Sequence, residues 1–353
     1  MGVRRALGGL VLAAAVLPGG CKTIGPVSVP RDRVGYNRAI ADSIKEQTIL
    51  NIVALRYGDP PVLVDVSSVI SSYENANQVS MGLNIQDNPG ASTAALGGST
   101  TYAIRPTITY TPVVGEKLSK QLLSPIPPPI IFSMLNSGYP ADKVLGLTVR
   151  SINGVFNRSR FRDADPQFPR LMRALRTVQQ AEGLHMQIER RGTDEANLIM
   201  LRKTIPPEIQ DEVQIIRDTL KIRPGASEYQ LTLGTIARAD NEIAVQSRSM
   251  LDILIELSTV IEVPPEDIEQ HRTFASPKLG ADETESPIPV VEIHWSDTRP
   301  PEAFAAVQYR GRWAWVDDRD LESKRILLFL IMFFSLAETG ITPQVPVVTV
   351  PAH

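Results

Sequence analysis

The stretch VVEIHWSDTRPPEAFAAVQYRGRWAWVDDRDLESKRILLFLIMFFSLA (290–337) decides the fold class. Val290–Trp295 alternates, with Val291, Ile293 and Trp295 on one side, which predicts a β-strand. Ala303–Tyr309 and Arg312–Val316 read as two more strands, flanking Arg310-Gly311, where glycine can supply the positive φ of a tight hairpin turn. Trp313 and Trp315 lie two residues apart and so take the same face. A helix is expected from about Arg319 to Ala337, with Gly340 as its end cap. Its run Ile326–Phe334 is apolar on every side and far shorter than the roughly 20 residues that cross a bilayer. The expectation is a three-strand antiparallel meander packed on an apolar helix, with the two tryptophans against Leu327, Leu330, Ile331 and Phe334. That makes the class α+β, mixed helices with antiparallel sheet.

Upstream, the chain alternates shorter elements. The spacing predicts strands over His185–Arg190, Leu198–Lys203 and Glu228–Ala237, and helices over Phe168–Gly183, Pro207–Leu220 and Glu242–Glu262, with 263–287 as a polar loop. Helices are expected over 115–123, 128–137 and 140–156, punctuated by Pro125 and Pro127-Pro128-Pro129. Val62–Val66 reads as a strand. Ser71–Ile85 alternates, with Val79, Met81, Leu83 and Ile85 on one face, and Tyr102, Ile104, Ile108 and Tyr110 resume the alternation. The Gly/Ala/Ser/Thr-rich Asn88–Thr101 between them predicts a long hairpin with a mobile tip. An amphipathic helix is expected from Tyr36 to Arg56, through Ile40, Ile44, Ile49, Ile52 and Val53, and stopped by Gly58-Asp59-Pro60-Pro61. The domain reading is 1–20 leader, 21–33 tether, 34–160 N-terminal part with the hairpin, and 161–353 C-terminal part.

The first twenty residues carry an address. Arg4 and Arg5 precede the apolar run Ala6–Leu17, and Pro18-Gly19-Gly20 lead to Cys21, the only cysteine among 353 residues. This is the pattern of a secretory signal peptide. The junction resembles the lipobox of bacterial lipoproteins, with small residues before the cysteine and Pro18 where the family prefers leucine. The resemblance implies diacylglycerol on the Cys21 thiol, cleavage before it and a further acyl chain, palmitate or its like, on the new N-terminus. Each buried methylene contributes about 0.8 kcal/mol, so two or three chains hold a protein on a membrane. Lys22, where inner-membrane retention would use aspartate, implies the outer membrane facing the periplasm.

Composition excludes several functions. Thirty-six basic and 39 acidic residues give a net charge of −3, which removes a nucleic-acid binder working by bulk charge. One cysteine excludes a disulfide framework and an intrachain thiolate cluster. No HExxH, G-x-S-x-G, Walker loop or G-x-G-x-x-G occurs. Two constellations are candidates. His294 and Asp297 in HWSD have the types for a metal or a base–orienter pair, although His294 alternates opposite Ile293 and Trp295 and so faces solvent. Asp317, Asp318, Asp320 and Glu322 could offer oxygen ligands to a hard cation, but they sit where a helix begins, and acids there cap free amides and oppose the dipole. No catalytic residue, cofactor or metal is expected.

The blocks YRGRWAWVDDRDLESK (309–324), RDRVGYNRAI (31–40), LRYGDPPVLVDV (55–66) and VRSINGVFN (149–157) resemble a group of uncharacterised proteobacterial envelope lipoproteins. The resemblance carries no known activity. The anchor, the absence of catalytic motifs and an ordinary mixed α/β body point instead to a lipid-anchored envelope protein facing the periplasm, a non-catalytic interaction or assembly component whose partners are the membrane and an envelope protein. Two alternatives remain open at this point: a periplasmic hydrolase or ligand-binding enzyme without a recognisable motif, and a secretion-pore component that inserts the 71–111 hairpin, similar in outline to the curli secretion channel.

Overall fold

The computed structural model describes residues 29–84, 93–191, 194–202, 205–276 and 291–337. Cys21, the leader and Gly340 lie outside them. Two compact units are formed: one runs through Ser43 and takes Val64–Pro112, and the other takes Ile44–Leu63 with the chain from Val113 onward. The division therefore does not fall at residue 160.

In the first unit, β1 (Val64–Asn84) and β2 (Thr93–Pro112) pair antiparallel along twenty residue pairs as a two-stranded sheet of their own. The ribbon is longer than its sequence suggests, because Val64–Val66 of the run 62–66 joins the strand that follows it. Asn88–Thr101 is also no uniform tip. Thr93–Thr101 is paired strand, Ala76 facing Thr101 and Asn84 facing Thr93, while 85–92 lie outside the described residues.

Helix α1 (Val29–Arg56) starts seven residues before the expected Tyr36 and takes in part of the presumed tether. Its residues from Ile44 belong to the second unit, where Ile49, Ile52 and Val53 are fully buried. Buried Asn51 fixes the turn after the helix: its amide donates to Val62 O (3.0 Å) and its carbonyl accepts from Val62 N–H (2.8 Å).

The second unit is built on a six-stranded sheet, ordered β4-β3-β8-β7-β6-β5: β3 (Val149–Ile152), β4 (Val155–Phe156), β5 (Leu184–Arg191), β6 (Asp194–Leu201), β7 (Glu228–Leu233) and β8 (Glu242–Ser247). Only β7 and β8 run parallel. Helices α2 (Gly115–Leu123), α3 (Pro128–Asn136), α4 (Ala141–Thr148), α5 (Gln167–Gln180), α6 (Gln210–Leu220), α7 (Met250–Val260) and α8 (Pro265–Glu269) complete it, with a 3-10 turn at Pro207–Ile209 before α6. Two long expected helices break here. The span 140–156 holds α4 and the β3–β4 hairpin, because Asn153 (φ 45°) and Gly154 (φ 80°) make a turn whose two positive φ angles asparagine and glycine accept. The span 242–262 holds β8 and then α7, whose start is set by a reciprocal capping box between Ser249 and Asp252.

The C-terminal sheet, β9 (His294–Ser296), β10 (Ala303–Tyr309) and β11 (Arg312–Asp317), is ordered β10-β11-β9 and antiparallel throughout. Arg310 (φ 49°) and Gly311 (φ 85°) make the expected turn. Helix α9 (Leu321–Ala337) follows. The expected packing of the tryptophans is reversed. Ala314 and Val316 are fully buried, while Trp313 and Trp315 on the other face are only partly so. The sheet's core contribution comes from Ile293, Ala305, Val307, Ala314 and Val316, which share one apolar cluster with Ile326, Leu327, Phe329, Leu330 and Phe333 of α9. No helix among the described residues is long and apolar enough to cross a membrane.

Candidate functional site

The ribbon has two unlike faces. A bulge between Val66 and Ser68 leaves Ser67 without a partner and changes the phase of β1, so Val66 and Val69, three apart in sequence, take the same face. With that phase, the register places Val64, Val66, Val69, Tyr73, Val79, Met81 and Leu83 of β1 with Leu96, Tyr102, Ile104, Ile108 and Tyr110 of β2 on one side. The pair Ser71–Pro106 interrupts this apolar side, and the opposite side carries Ser68, Ile70, Ser72, Gln78, Ser80, Ser99, Thr101, Thr107, Thr109 and Thr111. Asp65, Glu74 and Arg105, the charged positions of the paired strands, all fall on this second side. At the described positions Ile108 and Tyr110 are exposed, 41% and 59%. Val113 N–H donates to Leu63 O at 3.0 Å, carrying the ladder one rung further in the second unit.

Within the second unit a cleft of ≈ 680 Å³ opens beside the α3–α4 turn. Gln179 of α5 ties that turn down: its amide donates to Leu135 O (2.9 Å) and Tyr139 O (2.7 Å), and its carbonyl accepts from Ala141 N–H (2.9 Å). Tyr139 and Phe329 form part of the floor, their rings 6.3 Å apart. At the rim Lys143 pairs with Glu322 (2.6 Å) and Arg176 approaches Asp142 (3.7 Å), with Arg325 close by. An apolar floor under mixed charges suits a small amphiphile. The lining contains neither histidine nor cysteine, hence no nucleophile–base pair of the thiol or serine–histidine kind.

The sequence candidates separate. His294 packs its ring against Trp315, with centroids 4.9 Å apart, on the partly exposed face opposite Ile293 as its alternation predicts. Asp297 is exposed, and no hydrogen bond joins it to His294 among the described residues. The acids before α9 are engaged in holding the helix start. Asp320 accepts from Ser323 N–H (3.0 Å), Asp317 from Arg319 N–H (2.8 Å), and Asp318 receives the Lys324 ammonium (2.7 Å). Among the described residues no three His, Cys, Asp or Glu side chains gather to hold a metal ion. Arg162 pairs with Asp165 at 2.5 Å and lies over the Phe156 ring at 4.2 Å, while Arg160 lies over Phe161 at 4.3 Å.

Two constellations are absent from the sequence reading. Arg248, 1% exposed, closes the carbonyl end of α4. Of that helix's last carbonyls, Leu145 O accepts from Val149 N–H and Thr148 O from Arg248 N–H (2.7 Å). Gly146 O receives both Arg248 Nη1 (3.2 Å) and Asn157 Nδ2 (2.8 Å), and Leu147 O receives Arg248 Nη1 (3.0 Å). The second guanidinium nitrogen donates to Arg158 O. Burial lowers the Arg248 pKa from its ordinary value, and neighbouring Glu256 opposes that shift. The other constellation joins two of the quoted blocks. Tyr57 of YGD packs on Tyr309 of YRG (5.2 Å) and edge-on to Trp295 (6.2 Å), with the Arg310 guanidinium 4.9 Å over its ring. The Tyr57 hydroxyl donates to Asp267 (2.6 Å) and that of Tyr309 to Asp59. Burial, then the Asp267 bond, raises the Tyr57 pKa well above that of free tyrosine, while the bond from Tyr309 holds Asp59 low.

No family model matches the chain, and no curated protein or solved structure matches it either.

Proposed function

We propose that this protein is a lipid-anchored component of the bacterial envelope, facing the periplasm from the outer membrane, and that it works by assembling with other protein chains rather than by catalysis. The ribbon carries this reading. Twenty residue pairs form a sheet of two strands with no third strand beside them among the described residues. A two-stranded ribbon is marginal in water, and its outer edges are templates for further pairing. The Cys21 junction supplies the anchor.

The test uses the full chain in its native envelope. One variant carries Cys21→Ser. A second replaces 64–112 with a short Gly-Ser turn, which the Val113–Leu63 hydrogen bond makes sterically simple. Cys21→Ser should leave the membrane fraction, and the parent's N-terminal peptide should carry acyl mass. Cross-linking should trap the parent in complexes larger than a monomer, and the ribbonless chain should stay anchored but monomeric. An unacylated Cys21 overturns the anchor, and unchanged complexes without the ribbon overturn assembly through it. The ≈ 680 Å³ cleft favours a second reading, a periplasmic protein that binds a small amphiphile. Mass spectrometry of organic extracts from the purified parent and from Phe329→Arg tests it, and equal extracts count against it.

A further inference from the structure

We infer that the partner of the ribbon is the ribbon of another copy of this chain, and that several copies close their ribbons edge to edge into one β-barrel spanning a membrane. This rests on the assembly reading above.

The length fits. A tilted barrel strand needs about 9–11 residues to cross the hydrocarbon layer. On the less polar face, Val64–Tyr73 of β1 lies against Ile104–Pro112 of β2, and Tyr102 faces Asn75 one step beyond. Asn75, Asn77 and Thr100 end this band on that face. Tyr73 and Tyr102 mark one end of it and Tyr110 the other, the places at which barrel strands carry aromatic girdles. Tyr102 to Tyr110 is about 26 Å along a strand at roughly 3.3 Å per residue.

The chemistry fits as well. Asp65, Glu74 and Arg105 fall on the face with Thr107, Thr109 and Thr111. A polar lumen and a lipid-facing apolar stripe require this dyad pattern. The bulge at Ser67 extends the apolar stripe through Val66 and Val64 to the root of the ribbon.

Backbone in lipid must also find all its hydrogen bonds within protein, so a lone ribbon cannot cross and a closed barrel can. The hairpin supplies strands of matched length in opposite directions. The β2 edge of one copy meets the β1 edge of the next antiparallel, a head-to-tail contact that closes when rotation returns to the start. Pro106 stays inside the β1–β2 ladder, so its missing N–H belongs to the outer edge. It removes one rung from a junction of about ten.

The experiment reconstitutes the full lipidated chain in phosphatidylethanolamine–phosphatidylglycerol bilayers. Single cysteines at 107, 108, 109, 110 and 111 carry nitroxides. Positions 108 and 110 should be reached by oxygen from the lipid, and 107, 109 and 111 by a water-soluble nickel chelate. Mass measurement in nanodiscs should give one ring of copies, and planar bilayers should show discrete conductance steps. Ile108→Arg should abolish the steps. Thr107→Arg should keep them and shift ion preference towards anions. Circular dichroism of both variants before reconstitution separates misfolding from failed insertion. Oligomers without the two-residue alternation would overturn the membrane span and leave assembly standing. Monomers throughout would overturn both. A ring that contains another protein's strands, or equal effects of Ile108→Arg and Thr107→Arg, would overturn the barrel of identical copies.

Discussion

Arg248 offers a sharp test of the second unit, because its energetic role follows from counting acceptors. Replacing it with alanine strips both Leu147 O and Arg158 O of the guanidinium, while Gly146 O keeps Asn157. The backbone N–H that serves Thr148 O survives the substitution. One buried and one part-buried carbonyl are thus exposed to the cost of an unmade hydrogen bond, about 1–3 kcal/mol for each fully buried group. Releasing a buried cation offsets part of this. The expected loss is about 3 kcal/mol, a large fraction of a domain's 5–15 kcal/mol. Urea unfolding of the full chain, followed by tryptophan fluorescence, reads it as a fall in midpoint at unchanged slope. Asn157→Ala alone leaves Gly146 O with Arg248 but strips Val149 O of the Asn157 amide, and should cost about 1–3 kcal/mol. The double variant leaves Gly146 O with neither donor, so it should lose at least about 1 kcal/mol beyond the sum of the singles. Additive losses would refute the shared cap, and an Arg248→Ala cost under about 1 kcal/mol would mean that water replaces the guanidinium.

Two further outcomes are expected. The Tyr57 pKa is raised in the fold, so its contribution is whole below the unfolded value near 10 and is lost as pH rises from there towards the folded value. Tyr57→Phe should therefore flatten the fall in urea midpoint between pH 9 and about 11, and parallel curves for parent and variant would exclude this role. Ala314→Leu should destabilise by about 1–3 kcal/mol through overpacking of a wholly buried site. Trp313→Ala should cost less than about 1 kcal/mol, and thermal midpoints in the reverse order would return the tryptophan face to the core.

Much of the secondary structure was legible wherever turn chemistry punctuates the chain. Gly115–Leu123 coincides with its expected helix, and Pro128–Asn136 misses by one residue. The Arg310-Gly311 hairpin was equally plain. The errors have physical causes. Apolar residues on both sides of Asn153-Gly154 keep helical spacing, which hid a turn that the dipeptide itself announces. Ile243-Ala244-Val245 belongs to a central strand, and a strand buried on both faces cannot be told from a helix by period. Size misled the reading of the last sheet, since its fully buried positions are the small Ala314 and Val316 rather than the tryptophans. Arg248 could not be found from sequence: two of its carbonyl acceptors lie 101 and 102 residues away.

The ribbon shows most clearly how one residue can conceal a pattern of faces. Read without a bulge, Val64 and Val66 share a face with Ser68, Ile70 and Ser72, and the apolar row reaches back only to Val69. With Ser67 set aside, the same letters place Val64, Val66, Val69 and Tyr73 in one row. The phase change also moves Asp65 to the side of Glu74 and Arg105. A stripe that continues to the root and a segregation of all three charges are separate consequences of one unpaired serine. A ribbon indifferent to its surroundings would have no use for either. A bulge that merely ended the pairing would serve to blunt the edge, but here pairing resumes on both sides of it and the partner strand runs on through Thr109 and Tyr110. Its effect is to set the register of the faces, which the proposed barrel would use to turn one side to lipid and the other to the lumen.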